Sequence, residues 1–309
     1  MAIRYLVPHS WFVESKSKEK QKIKITSFKE LDDFVEKYDI REIYDVYDNR
    51  LDYLLDFEAF LNIFPGGRNN FDPFSPEYRN WEMHFFEFIA GGEYNMDNEG
   101  MKYSRDVKEN TERHPMSLHS EVERIEIIRR ILDFIQIAGI NNGEKVLEMG
   151  CGDGHLAAML DAWGTEYWGI DISDYFIDCA RRRVYSEDAK KRILKMPFQD
   201  IPKLNQKFDT IIFESAFHHC GNPVEMLEII HKNTTDNARI ILWREPIMHN
   251  ADRPWGLIRD DGETIYQIRK RGWLEFGWTM DFLLRMFKKT GWRVTKHDEK
   301  SEFLELKKI

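Results

Sequence analysis

The chain has 309 residues, 42% of them hydrophobic, which is room for one large domain, or for one domain with a smaller partner, and too much apolar content for wholesale disorder. A formal net charge of −9 argues against a nucleic-acid partner, whose phosphates call for a basic face. Cys151, Cys179 and Cys220 are an odd number without paired spacing, which fits a reducing compartment and speaks against both a disulfide framework and a zinc ribbon.

The apolar run before Pro8 is too short for a signal peptide, and no later stretch is long enough to span a bilayer, so the expectation is a cytoplasmic protein. The Lys-rich run Ser15 to Lys24 reads as a solvated surface segment. Helical patterns follow around Ser27–Tyr38 and Asp48–Phe64, then a Pro/Gly/Asn loop at residues 65–70 and a third helical pattern around Pro76–Ala90. Aromatics crowd this region, Tyr44, Tyr53, Phe60, Trp81 and Phe85 among them. They predict the core of a helical domain over residues 1–118, a stacking platform for sugar rings being the alternative.

From residue 119 the pattern becomes regular. Ser120 and Glu123 form a capping box, and Ile125, Ile128, Leu132 and Ile135 recur on one helical face. Strand-like segments at Lys145–Met149, Glu166–Ile170, Arg192–Met196, Asp209–Phe213 and Ala238–Trp243 then alternate with helical ones at His155–Trp163, Ser173–Arg183 and Pro223–Lys232, the last capped by Asn222. Such alternation predicts an α/β fold with a parallel sheet covered by helices on both faces. It stops at residue 244 for an insertion of about 35 residues, well beyond an ordinary connection. A helix over Thr279–Thr290 and two strand-like runs, Trp292–Thr295 and Phe303–Leu306, close the chain as an antiparallel hairpin.

The centre of this pattern is Val146–His155. Gly150, Gly152 and Gly154 let the backbone turn tightly after a strand and approach a ligand closely, and the following helix offers N–H groups. Glu148, at the end of the strand, is expected to face the same spot. The dinucleotide fingerprint G-x-G-x-x-G would need glycine at position 155, which is His. The actual G-x-G-x-G after Glu148 resembles the first motif of the Rossmann-like S-adenosylmethionine-dependent methyltransferases, and the resemblance covers residues 120–309. It implies a doubly wound seven-stranded sheet, mostly parallel, with the C-terminal hairpin, and S-adenosylmethionine as cofactor. It implies also that Glu148, Gly150, Cys151, Gly152 and Gly154 form the cofactor turn. Asp171, with Ile172 beside it, would receive the ribose hydroxyls, and Pro197-Phe-Gln199-Asp200 would hold the adenine. Phe208–Ser215, including Glu214, would be the fourth-strand motif. A closer resemblance, to bacterial methyltransferases of polysaccharide and glycoconjugate biosynthesis, is carried by Phe217-His-His-Cys220, Arg244-Glu-Pro-Ile247, Pro254-Trp-Gly256, Asp261-Gly-Glu263 and Arg271–Gly277. It implies a sugar hydroxyl as the acceptor.

Methyl transfer from a sulfonium is an in-line displacement that depends on alignment, and a sugar hydroxyl gains from a positioned base. His218 and His219, just beyond the fourth strand, are the candidates, with packing and backbone bonding as the alternative for either. A metal on this pair would need Asp260 or Asp261 to complete it, and none is expected. The insertion, residues 244–278, balances six basic against six acidic residues. Glu245, Arg253, Trp255, Arg259, Trp273 and Glu275 are the expected acceptor-binding residues, a homodimer contact or a cap on the sheet being the alternative. Tyr103, Arg113 and His119 stand just before the core and are candidates to close over the cofactor. A small-metabolite N- or O-methyltransferase and a non-catalytic cofactor-binding protein are the other readings.

Overall fold

A computed structural model describes residues 25–38, 57–100, 121–249, 251–259 and 262–309. Tyr44, Tyr53, Tyr103, Arg113, His119, Ser120, Asp260, Asp261 and the Lys-rich run lie outside them, as do the side chains of Glu123 and Glu263. In chain order the helices are α1 (Phe28–Lys37), α2 (Phe57–Ile63), α3 (Pro76–Ala90), α4 (Glu121–Ala138), α5 (His155–Trp163), α6 (Asp174–Arg183), α7 (Glu187–Arg192), α8 (Pro223–Lys232), α9 (Gly262–Arg271) and α10 (Met280–Lys289). The strands are β1 (Lys145–Met149), β2 (Glu166–Asp171), β3 (Ile193–Lys195), β4 (Phe208–Glu214), β5 (Thr234–Trp243), β6 (Ile247–Met248), β7 (Trp255–Gly256), β8 (Gly277–Thr279), β9 (Trp292–Asp298) and β10 (Phe303–Lys308). No described helix is long and apolar enough to cross a membrane.

The described residues form two compact units, one from those within 1–99 and 246–282, the other from those within 100–245 and 283–309. The second holds a sheet of seven described strands in the order β3-β2-β1-β4-β5-β10-β9. The strands from β3 through β5 pair in parallel, whereas β10 runs antiparallel to both β5 and β9. The fold is therefore the expected one, a mostly parallel α/β sheet closed by a reversed hairpin. Val146, Leu147 and Met149 of β1 are fully buried, as a central strand covered on both faces requires. Between β1 and β4 the strand order changes direction, and such a switch point opens a crevice at the carboxyl ends of the strands.

Several boundaries differ from expectation. The strand expected at Arg192–Met196 is shorter, because α7 occupies Glu187–Arg192. Ser186 caps that helix by accepting from Ala189 N at 3.1 Å, and Lys190 and Lys191 pair with Glu187 and Asp188 one turn back. Only Ala189 is buried there, so no hydrophobic periodicity announces the helix. On α4 the buried face is Ile131, Phe134, Ile135 and Ala138, while Ile125, Ile128 and Leu132 are exposed. Phe134 sets the rotation by stacking on Trp243, ring centroids 4.3 Å apart. As expected, Asn222 caps α8, accepting from Glu225 N.

The first unit draws on two separate stretches of the chain. The segment expected as an insertion of the α/β core groups instead with the N-terminal helices. In it β6 and β7 flank β8, and α9, a helix the sequence pattern does not announce, packs among α1 and α3. Tyr266 donates to Tyr38 O at 2.8 Å, Arg269 pairs with Asp32 and donates to Ile89 O, and Lys270 bonds to Val35 O.

Candidate active site

The turn after β1 is built as its glycines demand. Gly150, Gly152 and Gly154 have φ of 76°, 50° and 84°, a region L side chains enter only with strain. A Cβ on Gly154 would stand 2.6 Å from Ala180 Cα, and one on Gly150 would stand 2.8 Å from Ala216 Cβ. Gly152 is different: among the described residues no atom comes within 4 Å of its missing Cβ. Two of the glycines thus serve packing within the protein, and the third leaves room for a ligand to approach the backbone. Asp171 joins this turn to the end of β2. One carboxylate oxygen accepts from Gly152 N at 3.0 Å and the other from Ser173 N at 2.8 Å. Burial raises the Asp171 carboxyl above its usual range, although these amides and the charge of His219 pull the other way.

Glu148 is placed otherwise than expected. Its carboxyl is buried beneath the turn and accepts from the Tyr167 hydroxyl at 2.6 Å. Burial, with the nearby Glu214, Asp153 and Asp171 carboxylates, holds it well above the ordinary carboxylate range against the effect of the Tyr167 bond. It therefore ties β1 to β2 through Tyr167. Tyr167 was not anticipated, although β2 carries a signal: a Cβ on Gly169 would stand 2.6 Å from the Tyr167 hydroxyl, and glycine inside a strand marks such close approach. The Cys151 thiol is buried in the same cluster and raised by that burial. Of the expected adenine residues, Gln199 is exposed and Asp200 pairs with Lys203 at 2.7 Å. Ile172 is half-buried beside Asp171.

At the carboxyl ends of β4 and β5 the chain makes two left-handed turns at residues other than glycine, Ser215 (φ 48°) and Arg244 (φ 62°). Ser215 N donates to Trp243 O, and its hydroxyl donates to Arg244 O at 3.2 Å. Glu214 and Arg244 pair at 3.3 Å. Beyond these turns Glu245 meets the short helical turn Phe217–His219. One of its oxygens accepts from Ala216 N and Phe217 N, both at 2.8 Å. The other accepts from His218 N at 3.1 Å and lies 2.9 Å from His218 Nδ1. Glu245, expected as an acceptor ligand, thus has both oxygens bonded to the Phe217–His219 turn and its flank. Burial alone would raise its carboxyl, but the His218 charge, the ring bond and the amides outweigh that and hold it below the usual range. His219, half-buried, stacks its ring 4.2 Å from that of His218.

The other expected acceptor residues belong to the first unit. Trp255 is 3% exposed and its ring stacks with those of Trp278 and Phe282 at 5.9 and 5.8 Å. These are the contacts of a core residue, which corrects the expectation that it covers an acceptor. Arg253 is held by Glu82 at 2.8 Å. Arg259 and Glu275 form a buried pair at 2.6 Å. Trp273 is half-buried, donates to Asn98 O at 2.7 Å and carries the Arg271 guanidinium 4.6 Å above its ring.

The sheet order, the reversed hairpin and the glycine cradle tied to Asp171 define a Rossmann-like S-adenosylmethionine-dependent methyltransferase. Residues 121–297, more than half of the chain, match a family model described as a methyltransferase domain, and the chain belongs to that family. Among curated proteins it is similar to a tRNA U34 carboxymethyltransferase of Pseudomonas fluorescens (strain SBW25), 28% identical over 122 residues, 38% of this chain and 37% of that one. It is also similar to a ubiquinone biosynthesis O-methyltransferase of Coxiella burnetii (strain RSA 331 / Henzerling II), 28% identical over 86 residues, 28% of this chain and 37% of the relative. The match thus spans little more than a third of the length of these relatives. Among solved structures, magnesium protoporphyrin IX methyltransferase of Synechocystis PCC 6803 with bound S-adenosylmethionine aligns at a TM-score of 0.42 and 14% identity, covering 78% of this chain and all of that one.

Proposed function

We propose that the chain methylates a hydroxyl of a small polyhydroxylated acceptor, a sugar or glycan of polysaccharide or glycoconjugate biosynthesis, with His218 as general base. The observation that carries this reading is the buried imidazole of His218 at the carboxyl end of β4, on the same sheet edge as the glycine turn. The cofactor supplies an electrophilic methyl group on a positively charged sulfur. Gly152 gives it a side of the pocket without a side chain, and Asp171 holds that backbone in place and lends acceptor lone pairs to ribose hydroxyls. A neutral amine would need only alignment, whereas a hydroxyl must lose its proton as it attacks, which gives a positioned imidazole something to do. One relative is named for action on tRNA, but a net charge of −9 is unfavourable for a polyanionic substrate.

A second reading, N- or O-methylation of another small metabolite, has the ubiquinone-pathway relative in its favour. Calorimetry with S-adenosylhomocysteine, followed by a screen of nucleotide-linked sugars, glycans, phenols and amines for uptake of labelled methyl, separates these. Binding with uptake on a sugar hydroxyl is the expected result. Uptake only on an amine overturns the hydroxyl reading, and absence of binding overturns the cofactor site. His218→Asn should lower turnover by about 100-fold or more.

A further inference from the structure

We propose that Glu245 is the positioning residue for His218, holding a proton on Nδ1 so that the basic lone pair stands on Nε2. The inference rests on the reading of His218 as a base. An ionised carboxylate only accepts hydrogen bonds, so the 2.9 Å contact from His218 Nδ1 to the Glu245 oxygen requires the hydrogen to be on Nδ1. The carboxylate is itself fixed, because three consecutive amides, those of Ala216, Phe217 and His218, converge on it. Two strained turns bring the partners together: Ser215 and Arg244, both left-handed, are cross-linked by the Ser215 hydroxyl bond to Arg244 O. Left-handed conformations outside glycine persist only where the surroundings enforce them, and they cluster at functional sites. One oxygen serves Ala216 and Phe217. The second accepts from the His218 amide and also reaches the His218 ring, a contact beyond the backbone cap.

In the transfer, the acceptor O–H bond breaks with its proton passing to Nε2 while the oxygen forms its bond to the methyl carbon. The carbon–sulfur bond breaks with its electron pair going to sulfur. The imidazolium so formed keeps its Nδ1–H on Glu245, which remains ionised and offsets the new charge. The arrangement follows the logic of a carboxylate that orients an imidazole through Nδ1, here with glutamate at the end of the neighbouring strand.

Glu245→Gln tests the role. The amide oxygen can keep the bonds from Ala216 and Phe217, while the NH2 group presents a donor where both the His218 amide and its ring need an acceptor. The ring tautomer separates the loss of the ring bond from the loss of the amide bond. Nitrogen NMR of histidine-labelled full-length protein with S-adenosylhomocysteine, with His218 assigned by its loss in His218→Asn, reads the tautomer directly. In the wild type, as the pH is raised, the proton that remains on the neutral His218 ring should be on Nδ1. In Glu245→Gln it should move to Nε2, with turnover about 100-fold lower and unchanged affinity for S-adenosylhomocysteine. A neutral Nε2–H tautomer in the wild type overturns the proposal, even should the variant fail to fold. An unchanged tautomer in Glu245→Gln overturns it as well. Full turnover in His218→Asn would instead refute the base itself while leaving the tautomer measurement intact.

Discussion

The Glu82 carboxylate, which has no exposed surface, binds the Arg253 guanidinium at 2.8 Å across 171 residues of sequence. Its second oxygen accepts from Leu257 N at 3.0 Å, so one buried side chain of α3 holds both ends of the Arg253–Leu257 segment. Arg253→Met should cost about 3–5 kcal/mol by leaving that carboxylate buried and unpaired. The double variant Glu82→Gln/Arg253→Met should recover most of the loss, because the glutamine oxygen still accepts from Leu257. Urea unfolding of the four proteins measures the coupling, and additive losses would contradict the pairing.

Glycines of the cofactor turn should separate into two kinds. Gly154→Ala drives a methyl group into Ala180 Cα and should destabilise the fold severely. Gly152→Ala meets only backbone strain, about 1–2 kcal/mol for the left-handed conformation, yet places a methyl group where the cofactor approaches. Its thermal midpoint should fall by a few degrees, with S-adenosylhomocysteine affinity down at least ~10-fold. Tight binding by Gly152→Ala would move the cofactor elsewhere.

Glu148 gives the stability a pH dependence of definite sign. Burial first, and three neighbouring carboxylates next, raise its folded pKa well above the usual carboxylate range. The folded state therefore holds the proton more tightly than the unfolded one, and stability contributed by this group is lost as pH rises from about 4 toward the raised value. Glu148→Gln keeps an acceptor for Tyr167 and removes the titration. Its melting temperature relative to wild type should rise as pH increases above about 4, whereas a difference independent of pH would mean that Glu148 folds ionised.

Trp255 and Trp273 should respond to different degrees. Trp255, stacked in the first unit's core, should cost about 3–5 kcal/mol on truncation to alanine. Trp273→Phe removes the indole bond to Asn98 O and keeps an aromatic face, costing about 1 kcal/mol. Trp273→Ala should cost more than Trp273→Phe in urea unfolding, because the ring that packs under Arg271 is lost as well. Equal losses would show that the ring contributes nothing beyond its bond to Asn98.

The sequence by itself determined the α/β sheet, its reversed hairpin and the cofactor turn, because each is written in local signals. Strand and helix periodicity, the Asn222-Pro223 cap and three glycines at alternate positions all act over a few residues. Where the local signal was absent the reading failed: α7 buries a single alanine, and the rotation of α4 depends on Phe134 finding Trp243. Only the tertiary structure decided that residues 246–282 group with the N-terminal helices, since that follows from buried bonds such as Glu82 to Arg253. It alone turned Glu148 inward to Tyr167 and Glu245 onto His218. Both carboxylates stand at strand ends, where the sequence tells that an acid is present. Which way it points depends on partners 19 and 27 residues away.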